Sequence, residues 1–220
     1  MTIPASDADA APLRFVPLHA ATRAQRAAFL SIYRNAIPLS ERKTDAAILA
    51  MADRPDCVLE LAERGGAAVG FLILYRSSTY PVALLEYLGV AASARGSGLG
   101  GRLFARVAAH AHGHTLLMEV ETDRDTAAPD HAQRVRRKRF YARQGCRQLA
   151  QFTYRLPTLG EKVPPPMDLL FLTGRDAVDR ATLLAWLTDI YSEVYGRPAD
   201  DPGIACMMAG LPDQLAFEPI

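Results

Sequence analysis

The run Arg95-Gly96-Ser97-Gly98-Leu99-Gly100-Gly101 places four glycines in six residues. Side chains are missing where backbone N–H groups can all turn toward one guest. Leu99, Leu103, Val107 and Ala111 follow at helical spacing, so the glycines open a helix. Ahead of them, Leu84 to Val90 reads as a buried strand. Exposed N–H groups at a helix N-terminus form an anion site, most naturally for phosphate. Two acids stand in apolar strand-like runs, Glu86 in LLEYLGV and Glu119 in LLMEV. A carboxylate among such neighbours is costly unless it faces a cleft or is paired. Tyr141, in the pair Phe140-Tyr141, carries a hydroxyl that keeps its proton at neutral pH.

More than one phosphate-bearing guest suits such a loop. Gly96 to Gly101 matches GxGxxG, and Glu119 and Glu121 lie about where a ribose-binding acid belongs, so an NAD(P)- or flavin-dependent oxidoreductase is one reading. A dinucleotide loop, however, starts directly at a strand end, and here Ala91 to Arg95 intervene. An antiparallel hairpin also precedes the motif, where a dinucleotide site needs a βαβ unit.

The elements that must position these residues follow from pattern and punctuation. Arg14 to Leu18 is a short strand and Ala21 to Ile37 a helix stopped by Pro38. Ser40 to Lys43 is a charged link, and Thr44 caps a second helix, Asp45 to Met51. Cys57 to Ala62 and Ala67 to Tyr75 form a hairpin around Glu63-Arg64-Gly65-Gly66, and Pro81 opens a third run ending at Val90. After the central helix, Thr115 to Thr122 is a strand parallel to the one at Leu84, because a helix joins them. Asp130 is an N-cap for a basic helix, His131 to Gln144, closed by Gly145. Strands over Cys146 to Tyr154 and Met167 to Leu172 flank a proline-rich loop, Pro157 to Pro166. An amphipathic helix, Asp176 to Tyr195, and a proline-punctuated tail with an apolar run, Ile204 to Leu211, end the chain.

Two signatures in this order resemble the GCN5-related N-acetyltransferase (GNAT) superfamily. The first is Arg95-Gly96-Ser97-Gly98-Leu99-Gly100 behind a strand ending at Val90; the second is Phe140-Tyr141-Ala142-Arg143-Gln144-Gly145-Cys146. The resemblance covers roughly Arg14 to Leu172. It implies an α/β (α+β) fold, a mixed, mostly antiparallel sheet flanked by helices, with a C-terminal helical extension. The expected organisation is a disordered leader over 1–12, the acetyltransferase domain over 13–173 and the extension over 174–220.

What the resemblance implies for chemistry is specific. Acetyl-CoA is the co-substrate, its pyrophosphate held by the N–H groups of Gly96, Ser97, Gly98, Leu99, Gly100 and Gly101, with charge added by Arg95. The backbone of Leu88, Gly89 and Val90 bonds the pantetheine arm as an added strand would, and an N–H near Val90 serves the oxyanion. Tyr141 is the acid that protonates the departing thiolate. Glu119 and Glu86 are both candidates for the base, with a water-relayed path as a third option. Glu121 shares a face with Glu119 by alternation and is placed to help hold the acceptor ammonium. No cysteine is placed for an acyl-enzyme, so transfer is direct, within a ternary complex. The acceptor is a small-molecule or peptide amine. A non-catalytic acyl-CoA sensor on the same fold is the alternative outside enzymology.

Composition excludes other classes. With 25 basic against 24 acidic residues the net charge is +1, too even for a general nucleic-acid or membrane-surface binder. Three scattered cysteines form neither a disulfide framework nor a zinc ribbon, which fits a reducing cytoplasm, and the N-terminus lacks a signal peptide. The run Arg134-Val135-Arg136-Arg137-Lys138-Arg139 reads as a solvated helix face, or as a lure for anionic CoA. His110, His112 and His114 read as a helix end rather than a metal site. The stripe Leu183, Leu187, Ile190 and Val194, with Trp186, reads as packed on the domain, a homodimer contact being the alternative.

Overall fold

A computed structural model describes residues 11–157 and 165–220 of the chain. Most of the expected leader and the centre of the proline-rich loop lie outside the described residues. The chain divides into two compact units, and the division falls inside one strand. The first takes the described residues up to Arg76 together with Leu85–His112; the second takes Ser77–Leu84 and Gly113–Ile220.

In the first unit, β1 (Leu13–Pro17), β2 (Cys57–Arg64), β3 (Ala67–Arg76) and the greater part of β4 (Val82–Val90) lie in that order. Helices α1 (Arg23–Ala36) and α2 (Asp45–Met51) precede β2, and α3 (Leu99–His110) follows β4. The helix starts are written locally. Thr22 and Gln25 form a reciprocal capping box, with Gln25 N donating to Thr22 Oγ1 at 3.2 Å and Thr22 N to Gln25 Oε1 at 3.0 Å. Thr44 Oγ1 accepts from Ala47 N at 3.2 Å and starts α2. β2 and β3 meet antiparallel through the two-residue turn Gly65-Gly66, both at positive φ, as a tight hairpin demands.

Alternation along β2 sorts its side chains. Leu59 and Leu61 join Phe71 and Ile73 of β3 in a core closed by Phe29, Leu30 and Tyr33 of α1 and by Ile48 and Met51 of α2. Ala62 instead packs with Leu99 and Leu103 of α3, beside Leu88 and Val90. Close approach to β4 depends on glycine. A Cβ on Gly89 would fall 2.2 Å from the Phe71 ring, and one on Gly70 would fall 2.8 Å from Gly89 O.

Glu60 shares the Ala62 side and is nearly fully buried. Arg106 of α3 grips both its oxygens, Nε to Oε2 at 2.8 Å and Nη2 to Oε1 at 2.7 Å, and His110 Nε2 lies 3.2 Å from Oε1. Burial alone would raise this carboxyl, but the hydrogen bonds from Arg106 and the neighbouring His110 outweigh it and hold it at about 2, against an ordinary 4.5. A group with a depressed folded-state pKa stabilises fully above its unfolded value and loses that contribution as pH falls. Urea midpoints should therefore separate wild type from Glu60→Gln most above about pH 4.5, and the gap should close as the pH approaches about 2.

In the second unit the strand order is β5 (Thr115–Glu121), β7 (Met167–Leu172), β6 (Arg147–Leu149), β9 (Gln214–Pro219) and β8 (Ala177–Asp179). The pairs β5–β7, β6–β7, β6–β9 and β8–β9 are all antiparallel. The mixed α/β class with mostly antiparallel strands is as expected. Thr115 N donates to Pro81 O at 2.8 Å, so β4 and β5 begin side by side, as parallel neighbours do. Helix α4 (His131–Arg143) follows β5, and α5 (Arg180–Tyr195) and α6 (Pro202–Met208) belong to the C-terminal segment.

Three expectations for this unit need correction. The strand expected over Cys146 to Tyr154 is ordered only as Arg147–Leu149. Gln151 adopts a left-handed φ of 56° and breaks the run, and Tyr154 returns as a single bridge to Met167. The helix expected from Asp176 begins at Arg180. Asp179 caps it, accepting from Thr182 N at 2.8 Å, and Ala177–Asp179 are spent on β8. The tail adds a strand as well as a helix, since β9 pairs with both β6 and β8. Leu183, Trp186, Leu187 and Ile190 of α5 are buried within the chain.

Candidate active site

Between β4 and α3 the backbone makes one 3-10 turn, Ala92–Ala94, and then opens. Gly96 and Gly98 sit at φ of 81° and 75°, and a Cβ on either would meet nothing within 4 Å. Glycine is needed here for backbone conformation, not for room. Gly98 is the N-cap of α3 and offers no side-chain oxygen, so no cap competes for the N–H groups of the first turn, which have no partner inside the helix. Ser97 is turned away, its hydroxyl donating to Ala94 O at 2.8 Å. Buried Leu99, Leu103, Phe104 and Val107 hold the helix in place while Arg95 stays exposed. A helix start of this kind favours an anion.

Upstream on β4, the Glu86 side chain is only 4 % exposed, although the residue as a whole is half-buried. Its exposed part is therefore main chain, and Leu88 and Val90 are half-buried too. Lys43 Nζ pairs with Glu86 Oε2. Burial raises the Glu86 carboxyl, opposed by the Lys43 charge. The link carrying Lys43 is pinned by two phenols. Lys43 N donates to Tyr33 Oη at 2.8 Å, and Tyr87 Oη donates to Glu41 O at 2.8 Å. Glu86 is thus half of a buried ion pair, not a solvated strand-end charge.

The second unit holds Glu119 and Tyr141. Glu119, half-buried on β5, accepts from Tyr154 Oη on one carboxylate oxygen and from Tyr195 Oη on the other. Burial, and then the Glu119 charge, raise Tyr154 far above the ordinary phenol value, so it keeps its proton and donates. Tyr141 is buried near the end of α4, its ring 5.1 Å from that of Phe140. Burial pushes its hydroxyl up to about 12, with Arg137 pulling the other way.

Glu121 is not left for an acceptor: Arg134 Nη2 reaches Oε1 at 3.2 Å and Arg137 Nη1 reaches Oε2 at 3.4 Å. Asp130 occupies the N-cap position of α4 without a capping hydrogen bond, because its Oδ1 accepts from Arg134 Nε at 2.9 Å. Arg134 and Lys138 are buried, so the basic helix turns part of its charge inward rather than presenting one solvated face. No group of His, Cys, Asp and Glu able to hold a metal occurs among the described residues, and His110 is spent on Glu60.

A family model described as the acetyltransferase (GNAT) family matches residues 24–145. The chain belongs to the GNAT acetyltransferase family. GNAT enzymes use acetyl-CoA and act on amine acceptors, so the chain is an acyltransferase. Solved structures agree on the fold. A protein assigned to the GNAT family from Bacteroides thetaiotaomicron has a TM-score of 0.64 at 18% identity, over 84% of this chain and 99% of that one. The ribosomal-protein-S18-alanine N-acetyltransferase of Escherichia coli has 0.54 at 13% identity, over 73% and 93%. An acyl-CoA N-acyltransferase from Pseudomonas aeruginosa has 0.51 at 15% identity, over 74% and 99%. No curated protein matches the sequence. The oxidoreductase reading of GxGxxG finds no support in these comparisons. Among the described residues no helix is long and apolar enough to cross a membrane.

The GNAT match places the glycine loop, Leu88 to Val90, Glu86, Glu119 and Tyr141 within its bounds. Sequence reasoning missed Lys43, Tyr154 and Tyr195. Lys43 was visible only as part of a charged link. Tyr154 and Tyr195 carried no local signal, because each meets Glu119 through the fold alone.

Proposed function

We propose that the protein transfers an acetyl group from acetyl-CoA to a primary amine, by direct attack in a ternary complex in the cytoplasm. The observation that carries this is the glycine cap of α3, a helix N-terminus with no side chain to satisfy its first N–H groups. The backbone from Gly96 to Gly101 holds the pyrophosphate, and Arg95 adds charge. Leu88, Gly89 and Val90 supply main-chain hydrogen bonds to the pantetheine arm, a role supported by their place on β4 just ahead of the glycine loop.

Glu119 draws in the acceptor ammonium and takes up its proton. The freed amine attacks the thioester carbon, and an N–H near Val90 steadies the oxyanion. The C–S bond breaks, Tyr141 gives its proton to the CoA thiolate, and the products are an amide and CoA. Glu86, already neutralised by Lys43, is the less available of the two carboxylates. Residues 13–173 form the catalytic domain and 174–220 an addition to it.

A thermal-shift series with acetyl-CoA, CoA, NAD and NADP tests the cofactor, since a ligand that binds only the folded state raises the melting temperature. Acetyl-CoA is expected to stabilise and the nicotinamide dinucleotides are not. Release of free CoA is then followed with spermidine, kanamycin and a peptide with a free amino terminus. Acetyl-CoA binding without turnover on any amine would favour the sensor; stabilisation by NAD alone would sink the acetyltransferase reading.

A further inference from the structure

The helix that follows the GNAT-matched region ends on Tyr195, and Tyr195 Oη donates to Glu119 Oε2. Tyr154, also beyond the match, donates to Glu119 Oε1. Both oxygens of one half-buried carboxylate are therefore fixed by phenols that the matched segment does not supply. We propose that Tyr195, delivered by the C-terminal helix, is a positioning residue that holds Glu119 ionised and aimed as the anchor for the acceptor's ammonium group. This rests on the acetyltransferase reading and deepens it.

The chemistry follows from the donors. Hydrogen bonds to the charged form of a carboxylate favour that form. A carboxylate has about four lone-pair sites, and each phenol takes one, on opposite oxygens. A cation arriving at Glu119 meets a charge that cannot swing away, since Tyr154 is almost fully buried and comes from a different segment than Tyr195. The helix is itself tied down one turn earlier, where Tyr191 Oη donates to Arg155 O, next to Tyr154. The Tyr191 and Tyr195 rings stand edge to face at 6.1 Å.

Other charged groups stand near this cluster. Arg155, Arg197 and Asp201 act on Tyr191, and Arg197 Nε pairs with Asp201 at 2.7 Å. Glu121 is bound by Arg134 and Arg137. Opposite Glu119 on β7 stands Leu169, and the neighbouring Asp168 is taken by Arg124 and Lys138. Through Tyr195 the C-terminal helix reaches Glu119.

The test compares wild type with Tyr195→Phe and Tyr191→Phe, full chain in each case. The Glu119 side-chain carboxyl is followed by carbon NMR across pH, its signal assigned by its loss in Glu119→Gln. Tyr195→Phe is expected to raise the Glu119 midpoint by roughly one to two pH units. Tyr191→Phe should lower the melting temperature and leave that midpoint in place. With whichever of spermidine, kanamycin or the free-amino peptide is acetylated, Tyr195→Phe should raise KM for the amine about tenfold or more, with KM for acetyl-CoA unchanged. An unchanged midpoint, or one that moves equally in Tyr191→Phe, overturns the assignment, as does an unchanged KM for an acetylated amine. The titration needs no substrate, so it decides whether Tyr195 holds Glu119 even if no amine is acetylated. That last outcome would count against the proposed activity instead.

Discussion

Tyr141→Phe is expected to slow acetyl transfer by about 10²- to 10⁴-fold while leaving acetyl-CoA affinity unchanged. The substitution removes one oxygen from a ring that is otherwise buried, so packing against Phe140 is kept and the proton is lost. A phenol raised to about 12 looks too weak to protonate a thiolate in water. The same burial acts on sulfur, however. The nearby Cys146 thiol is itself pushed up to about 12 by desolvation. A CoA thiolate expelled into a desolvated site is a stronger base than in water, which narrows the gap between the two groups. The check is paired: free-CoA release for the rate, and thermal shift with acetyl-CoA for binding. Loss of both together would mean that Tyr141 serves structure; retention of both would remove it from the mechanism.

Features that depend on neighbours in sequence were legible. The Gly65-Gly66 turn, the Thr44 cap and the glycine opening of α3 each answer a demand made within a few residues, so residue type alone reveals them. Glu86 and Glu119 were legible as anomalies, acids in apolar strands, but not their partners. Lys43 lies 43 residues from Glu86 and Tyr195 lies 76 from Glu119, and only the fold selects one lysine or tyrosine among many. The strand β9 was hidden for a related reason. QLAFEP is short, and what makes it a strand is the edge of β6 that it pairs with, Leu149 against Phe217. Helix α4 misled because its charge was counted without its direction. A hydrophobic stripe announces its buried face, whereas buried cations look like exposed ones until the acids that receive them are located.

That inward charge makes Lys138→Met the largest stability effect expected outside catalysis, a loss of about 3–5 kcal/mol read as a lower urea midpoint. Lys138 Nζ lies 3.0 Å from Asp168 Oδ2 and 3.0 Å from Asp123 Oδ1, with the Lys138 and Asp168 side chains 9% and 5% exposed. Without the ammonium, Asp168 keeps, among the described residues, only Arg124, at 3.2 Å and largely in solvent. A buried carboxylate left with one screened partner costs more than the pair ever contributed. The double variant Lys138→Met/Asp168→Leu should therefore recover most of the loss, since it removes the stranded charge along with its partner. The adjacent exposed cation supplies the contrast: Arg139→Met should change stability by no more than about 0.5 kcal/mol. Equal, small effects at Lys138 and Arg139 would mean that the network is solvated. A large effect at Lys138 alone, relieved by the second substitution, would mean that α4 is fastened to β5 and β7 by charge where other helices use an apolar stripe.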